Sequence, residues 1–147
     1  MTIYSGNCHC GLVKFTITLP GSIYDHNVAS CNCSHCTRNG SLLIYFPTKE
    51  IKYYSGEADL KGYSASFGTK EVEHMFCPQC GSSTGWKCIE PGRIDDLPFE
   101  AVNVRMLNNI DVEKLKLEPL DGLTELGGEY ELGKWYEKIQ EKAEKEV

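Results

Sequence analysis

Seven of the eight cysteines in this chain of 147 residues fall into three short clusters. The clusters are Cys8-x-Cys10, Cys31-x-Cys33-x-x-Cys36 and Cys77-x-x-Cys80, and Cys88 stands alone. Closely spaced thiolates suit a metal because one tight turn can aim two sulfurs at the same ion. Pro78 restricts the turn within the last pair, and Gly81 can take a positive φ just after it. The spacing therefore predicts metal binding rather than free or disulfide-bonded cysteines.

The number of cysteines in each cluster predicts two different sites. A structural zinc takes four protein ligands in a tetrahedron, whereas a catalytic zinc takes three and keeps one position open. The simplest partition gives a closed site and an open site, with the ligands Cys8, Cys10, Cys77 and Cys80 in the first and Cys31, Cys33 and Cys36 in the second. Spacing alone also allows Cys31 and Cys33 to join Cys77 and Cys80. Iron–sulfur clusters use such thiolates too, but zinc is the favoured metal, at about two ions per chain.

The N-terminal residues lack the features of a secretory signal. Residues 1–8 contain no charged stretch followed by an apolar one, and no run in the chain approaches the roughly 18 apolar residues of a membrane span. We therefore expect a reducing intracellular location, cytoplasmic or nuclear, and no membrane partner. In that setting clustered cysteines bind metal or do chemistry more often than they form disulfides. A secreted form whose signal has been removed is the alternative.

The charge distribution argues against a nucleic-acid partner. Residues 1–110 carry 9 Lys and Arg against 10 Asp and Glu, and residues 111–147 carry 6 against 11. The chain has no basic stripe of the kind that phosphate-driven binding needs. The metal-binding part is thus nearly neutral, and most of the net charge of −6 lies in the C-terminal part.

Short stretches with an alternation of apolar and polar residues predict a mainly β fold. Candidate strands cover residues 12–19, 42–46, 51–55, 61–66, 71–76 and 99–106, and glycine or proline marks most of the breaks. Their number and spacing favour antiparallel sheets over repeating βαβ units. Residues 111–128 are predicted to be a loop because they contain Pro119 and three glycines.

The C-terminal segment predicts one amphipathic helix. Leu132, Trp135, Tyr136, Ile139 and Ala143 recur at helical spacing, and the opposite face consists of Glu and Lys. We expect this helix to pack on its own domain or across a homodimer, and docking of another partner is the alternative. The predicted organisation is one zinc-binding domain over residues 1–122, followed by a linker and this helix over residues 123–147, in a monomer or homodimer.

Three segments carry a family resemblance. They are GNCHCGLVKF at 6–15, CNCSHCTRNG at 31–40 and HMFCPQCGS at 74–82. In this order they resemble the opening, central and closing motifs of the glutathione-dependent formaldehyde-activating enzyme family, which also includes centromere protein V. The resemblance runs from about Ser5 to Gly122. VNVR at 102–105 followed by DG at 121–122 resembles the later part of the fungal-type members.

The resemblance implies an Mss4-like fold of antiparallel β-sheets around a structural zinc, and the activity of a carbon–sulfur lyase. The family's structural zinc uses the first and last cysteine pairs, here Cys8, Cys10, Cys77 and Cys80. Its catalytic zinc uses the central trio, here Cys31, Cys33 and Cys36. All seven ligand positions are cysteine in this chain. The implied partner is a small thiol such as glutathione, which adds reversibly to formaldehyde.

Four polar residues are candidates for other roles. His35 lies between two predicted ligands of the open site, where it is a hydrogen-bond donor to a ligand, a proton shuttle or a solvated loop residue. Arg38 and Arg105 can each offer a guanidinium to a substrate carboxylate, and a surface salt bridge is the competing interpretation. Arg105 and Asn103 are also predicted to lie in a strand that faces the site. His74, near a structural ligand, is predicted to be a packing or surface residue.

Two functions fit the whole pattern. The first is a zinc enzyme in which a thiol at the open position loses its proton and adds to an aldehyde, or leaves an S-hydroxyalkyl adduct in reverse. The second is a non-catalytic zinc module for protein association, and the complete trio favours the enzyme. A zinc deaminase is excluded because its ligand-x-Glu precedes Pro-Cys-x-x-Cys, and here no cysteine follows Cys88-Ile89-Glu90. Trp86 and Cys88 are predicted to be core residues.

Overall fold

Strands account for most of the regular structure in the computed structural model, which describes residues 1–64, 72–88 and 99–125. The strands are β1 (Thr2–Asn7), β2 (Lys14–Leu19), β3 (Asn27–Cys31), β4 (Leu43–Pro47), β5 (Ile51–Ser55), β6 (Lys61–Tyr63), β7 (Val72–Phe76), β8 (Ser83–Cys88), β9 (Phe99–Asn103) and β10 (Lys116–Leu120). The α-helices within the described residues are α1 (Ser34–Asn39) and α2 (Gly122–Glu125), and the other helical segments are short 3₁₀ turns. The predicted mainly β fold is confirmed. The helix predicted near the C-terminus and the side chain of Cys88 lie outside the described part.

The described strands form two sheets. The smaller sheet has the order β1-β2-β5 and is antiparallel throughout. The larger sheet has the order β10-β3-β4-β9-β8-β7-β6, and each neighbouring pair is antiparallel except β10 and β3. The prediction of antiparallel sheets therefore holds for every described pair but one.

The main core lies between the two sheets. Phe15, Ile17 and Leu19 of β2 are buried, as the alternation along that strand predicted. They belong to one cluster with Ile44 and Phe46 of β4 in the larger sheet. Full burial of a side chain of this size contributes about 1.5–3 kcal/mol, so this interface is a major source of stability.

Strand β4 is apolar on both faces because the larger sheet is covered on both faces. Ile44 and Phe46 pack into the main core, whereas Leu43 packs with Cys33 and Cys36 in a second cluster. Successive side chains of a strand point to opposite faces, so helix α1 lies on the face away from the smaller sheet. A strand buried on both faces has a continuous apolar run instead of an alternating one.

The predicted loop over residues 111–128 is wrong in its described part, residues 111–125. Strand β10 covers Lys116–Leu120 and pairs in parallel with β3. Every residue of β10 is exposed, so the strand has no buried apolar stripe and leaves no periodic signal in the sequence. Pro119 is tolerated because β10 is an edge strand of the described sheet.

The strand predicted at 99–106 is too long. It ends at Asn103, and a 3₁₀ turn follows at Val104–Met106. The Asn103 side chain ends the strand because its Oδ1 accepts a hydrogen bond from the backbone N–H of Arg105 at 3.2 Å. Arg105 therefore lies in this turn and not in a strand. Within the described residues, no helix has the length and apolar character needed to cross a membrane.

Candidate metal centres and the adjoining cavity

The first and last cysteine pairs meet at one point of the structure. The sulfurs of Cys8, Cys10, Cys77 and Cys80 all lie within 4.8 Å of one another. Cys8 Sγ and Cys10 Sγ are 3.6 Å apart, and Cys10 Sγ and Cys77 Sγ are 3.7 Å apart. A tetrahedral site with metal–sulfur bonds of about 2.3 Å places its sulfurs about 3.8 Å apart. The four side chains therefore match the ligand set of a closed metal site, and the other pairing that spacing allowed is not found.

Two similar turns present these four sulfurs. In the first turn, Gly11 N–H donates to the Cys8 carbonyl at 3.1 Å, and the φ of Gly11 is 78°. In the second turn, Gly81 N–H donates to the Cys77 carbonyl at 2.8 Å, and the φ of Gly81 is 76°. Other residues adopt such a positive φ only with strain, so glycine suits both positions. The turns lie between β1 and β2 and between β7 and β8, so the cluster joins the two sheets.

Hydrogen bonds to sulfur favour the thiolate form that metals bind. The backbone N–H of Val13 donates to Cys8 Sγ at 3.3 Å. Ser82 Oγ lies 3.2 Å from Cys80 Sγ and also accepts the backbone N–H of His9 at 3.1 Å. The hydroxyl of Ser82, followed by its backbone N–H, lowers the pKa of Cys80 to about 5. Ser82 thereby links the two turns, which also contribute ligands to the same site.

The three central cysteines form the second cluster. The sulfurs of Cys31, Cys33 and Cys36 lie within 4.8 Å of one another. Cys31 ends β3, Cys33 is the N-cap of α1, and Cys36 lies in α1. The backbone N–H of Cys33 donates to Cys31 Sγ, and that of Cys36 donates to Cys33 Sγ, both at 3.4 Å. The hydrogen bond between the side chains of Cys33 and Cys36 lowers the pKa of Cys33 to about 5 and raises the pKa of Cys36.

A row of directly paired residues crosses the sheet beside this trio. The row runs over β6, β7, β8, β9 and β4 and consists of Tyr63, His74, Trp86, Ala101 and Tyr45. Directly paired residues point to the same face of a sheet. Ala101 packs with Cys33 and Cys36, so the row lies on the face that carries the trio.

His35 does not behave as the solvated loop residue that one interpretation predicted. It lies half-buried in α1, and its ring stacks on that of His74 with centroids 3.3 Å apart and an angle of 26°. His74 is 3% exposed, and its ring also meets Trp86 at 3.9 Å in an edge arrangement. Burial lowers the pKa of His74 to about 3 and lowers the pKa of His35 as well. His74 is therefore a neutral packing residue beneath the helix that carries the trio.

The two arginines lie near the C-terminal end of α1. Arg38 Nη1 donates to the carbonyl of Ser34 at 3.0 Å. Arg105 Nε donates to the carbonyl of Gly40 at 2.9 Å, and Gly40 ends the helix in a left-handed conformation with a φ of 59°. Cations at a helix C-terminus are favourable because its last carbonyls lack partners within the helix. Arg105 thus helps to hold the end of α1.

A cavity of about 380 Å³ is lined by sequence neighbours of cysteines from both clusters. One wall is formed by α1, including Ser34, His35 and Arg38. The facing wall includes Tyr63 of β6 and Gly81 of the second turn. Ser34 and His35 separate two cysteines of the trio in sequence, but the cysteines themselves are not among the described wall residues. The cavity therefore adjoins the trio without containing it.

The structural roles of two residues were missed from sequence, although Asn103 was predicted to lie in a strand. Asn103 is 2% exposed, and its side chain accepts from Leu42 N–H at 3.3 Å and donates to the Ser83 carbonyl at 3.1 Å. It thereby connects three neighbouring strand segments beneath the site. Tyr63 becomes a cavity wall only because β6 pairs with β7 in this register. Neither role leaves a local pattern, because both depend on partners that are distant in sequence.

A comparison with known families matches the part of the chain that carries the cysteine clusters. The sequence model of the glutathione-dependent formaldehyde-activating enzyme family matches residues 3–108. The chain belongs to this family. The matched range contains all seven clustered cysteines, and the resemblance inferred from three motifs is confirmed. Membership links this family member to glutathione-dependent formaldehyde chemistry and a thiol substrate.

A solved structure gives independent support for the fold of this family member. The crystal structure of a Rhodobacter sphaeroides protein is similar, with a TM-score of 0.62 and 29% sequence identity. The match covers 78% of this chain and 97% of that protein. The similarity therefore extends over nearly all of the Rhodobacter chain.

Proposed function

We propose that this protein is a zinc-dependent carbon–sulfur lyase that acts on thiol–aldehyde adducts such as S-hydroxymethylglutathione. In one direction the thiol adds across the carbonyl, so that a carbon–sulfur bond forms and the thiol proton ends on the new hydroxyl. In the other direction that bond breaks, and the hydroxyl proton returns to sulfur as the aldehyde leaves. Membership of the family supports glutathione and formaldehyde as the first pair to test.

The observation that carries the proposal is the contrast between the two cysteine clusters. Four sulfurs meet in the first cluster and three in the second. Four thiolates complete a tetrahedron, whereas three leave a position for another ligand. Thiolates are typical ligands of zinc, so both donor sets fit it. We assign a structural zinc to Cys8, Cys10, Cys77 and Cys80, and a catalytic zinc to Cys31, Cys33 and Cys36.

The residues around the trio support binding and proton transfer. Two backbone N–H groups donate to the sulfurs of Cys31 and Cys33 and favour their thiolates. Bound zinc would supply a Lewis-acidic position at which an incoming thiol is deprotonated. His35 lies in the wall of the adjoining cavity and is our candidate for accepting and returning that proton.

Charged groups of the substrate require a separate partner. Arg38 lies in the same cavity wall as His35, and a guanidinium suits a carboxylate of glutathione. Arg105 is the weaker candidate because it is not among the described wall residues of the cavity, and its Nε donates to Gly40 at the end of the helix. We therefore assign carboxylate binding to Arg38 and support of the helix end to Arg105.

Metal content and turnover test the assignment together. The purified protein is expected to hold about two zinc ions per chain. Cys33→Ser is expected to lose about one of them and to lower turnover of glutathione with formaldehyde by at least about 100-fold, because it removes a ligand. Its circular dichroism spectrum is expected to stay that of a folded protein. Cys88→Ser is the matched control, since Cys88 belongs to none of the three sequence clusters, and it should keep both ions.

Three results would contradict the proposal. Unchanged turnover in Cys33→Ser, or complete unfolding of that variant, would remove the catalytic assignment of the trio. A protein with two zinc ions and no turnover would favour the non-catalytic module instead. Alkylation of the trio distinguishes the same two cases, because glutathione should protect these cysteines only if it binds there.

A further inference from the structure

The cavity beside the trio is larger than formaldehyde chemistry requires. Its volume of about 380 Å³ falls within the range of about 300–1,000 Å³ that is typical of small-molecule sites. The group that formaldehyde adds to a thiol contains only one carbon and one oxygen. Most of this volume therefore has to be explained by another part of a substrate.

Rings form much of the cavity wall. The rings of Tyr63 and His35 lie nearly parallel, at an angle of 19° and with centroids 6.1 Å apart. His74 stacks against His35, and Phe76 also lines the cavity. Ring faces and edges of this kind attract planar and apolar groups. The wall is thus suited to a flat, weakly polar ligand.

The described cavity wall matches only one charged group of glutathione, the carboxylate that we assign to Arg38, and offers no partner to the other two. Arg38 is the one Lys, Arg, Asp or Glu among the described wall residues, and the histidine ring of His74 is neutral. Glutathione carries one ammonium group and two carboxylates. An ammonium group that leaves water without a carboxylate partner is costly, and the described walls provide none. The aldehyde-derived half of an adduct, which carries no charge, fits better.

We propose that this cavity binds the side group of the aldehyde, and that the substrates of this protein include adducts of uncharged aromatic or similarly planar aldehydes. The inference rests on the proposed lyase function, because the reacting sulfur and carbonyl must meet at the trio. Ser34 and His35 connect the two places, since they line the cavity and separate Cys33 from Cys36. The reaction is the same addition, in which a carbon–sulfur bond forms and the thiol proton passes to oxygen.

Two aldehydes and three variants test the inference. Glutathione is the common thiol, and kcat/KM is measured with formaldehyde and with benzaldehyde. Wild-type protein is expected to use both. In Tyr63→Ala the ratio of kcat/KM for benzaldehyde to that for formaldehyde should fall about three- to ten-fold, because a ring of the wall is lost. Tyr63→Phe keeps the ring and should restore the ratio.

Tyr54→Ala is the matched control for this series. Tyr54 is 62% exposed in β5 of the smaller sheet and is not a described wall residue, while Tyr63 is 52% exposed. The two substitutions therefore remove tyrosines of similar exposure from different places. Tyr54→Ala is expected to keep both activities and their ratio.

Binding of an unreactive probe provides a readout without turnover. Benzyl alcohol carries the ring and the hydroxyl of a benzaldehyde adduct but cannot react with a thiol in this way. Ligand-observed NMR should show saturable binding to the wild-type protein and to Tyr54→Ala, and weaker binding to Tyr63→Ala.

The outcomes separate this inference from the function on which it rests. Turnover of formaldehyde without benzaldehyde, or an equal fall with both aldehydes in Tyr63→Ala, overturns the inference and leaves the lyase function standing. Absence of benzyl alcohol binding to the wild-type protein overturns it as well. If neither aldehyde is used, the proposed function and the inference fall together.

Discussion

At the scale of single residues, burial gives His74 properties that its place in the sequence does not reveal. The sequence shows only a histidine shortly before Cys77. In the fold its ring lies between His35 and Trp86 and is almost completely buried. Burial penalises the charged imidazolium and lowers the pKa to about 3, so the residue titrates far below the ordinary value of 6.5.

This shift predicts an acid-sensitive contribution to stability. Between pH 6.5 and about 3 the unfolded chain binds a proton at His74 and the folded chain does not, so the free energy of unfolding falls as the pH falls. The stabilisation is complete above pH 6.5. In His74→Phe, which keeps a ring and removes the titration, the pH dependence below pH 6.5 should be less steep by about 1 kcal/mol per pH unit. Urea unfolding of both proteins at pH 5–6.5 measures it, and equal slopes would contradict the prediction.

The cysteines show the opposite relation between sequence and structure. Their roles as metal ligands could be predicted because a turn of three or four residues sets the position of each pair. Gly81 was predicted to take a positive φ and does so at 76°. His74 could not be assigned in the same way, because the ring on which it packs comes from α1, in a distant part of the chain.

At the scale of elements, β8 and β9 approach each other so closely that one position has no room for a side chain. Gly85 in β8 has a φ of 155°, and a Cβ there would collide with the carbonyl oxygen of Ala101 in β9. The neighbouring pair of Trp86 and Ala101 belongs to the row beside the trio. The packing of these strands therefore affects the floor of the candidate active site.

Gly85→Ala is expected to destabilise the protein by about 3 kcal/mol, because the collision is with backbone that cannot move aside easily. Gly21→Ala is the matched control. Gly21 also has a positive φ, at 73°, but a Cβ there would come no closer than 4.0 Å to another residue. Its cost should be about 1 kcal/mol from backbone strain alone. Chemical denaturation of the two variants compares them, and similar losses would contradict the role of the close approach.

The elements also differ in how well they could be predicted. Strand β5 occupies the predicted residues 51–55, and β2 shows the expected alternation of buried and exposed side chains. Strand β10 escaped prediction because all its residues are exposed and its pairing with β3 is not local. Strand signals in a sequence come from burial on one face or both, so an edge strand without burial leaves none.

At the scale of the whole molecule, the cluster of four sulfurs connects the two sheets. Cys8 and Cys10 lie between β1 and β2, and Cys77 and Cys80 lie between β7 and β8. Cys8 and Cys77 are also members of the main core, and both have no exposed surface. A metal at this point would act as a cross-link in the centre of the fold.

Removal of metal is therefore expected to affect the two clusters differently. Binding of a structural zinc contributes to folding directly, so Cys77→Ser or full chelation should lower Tm by more than about 10 °C or unfold the protein. Cys33→Ser should leave Tm within a few degrees of the wild type. Thermal unfolding followed by circular dichroism, with zinc content measured on the same samples, compares the proteins. A metal-free protein with an unchanged Tm would be inconsistent with a structural site.

The sequence by itself determined which side chains can bind metal, the three short clusters in which they lie, and that the chain is mainly β. These features are local, because turns of a few residues and the alternation along a strand depend on neighbours in the chain. The tertiary structure decided which cysteine pairs meet, that His35 stacks on His74, and that Tyr63 faces α1 across a cavity. These depend on the register of strands that are far apart in sequence, and register is set by the packing of the whole domain.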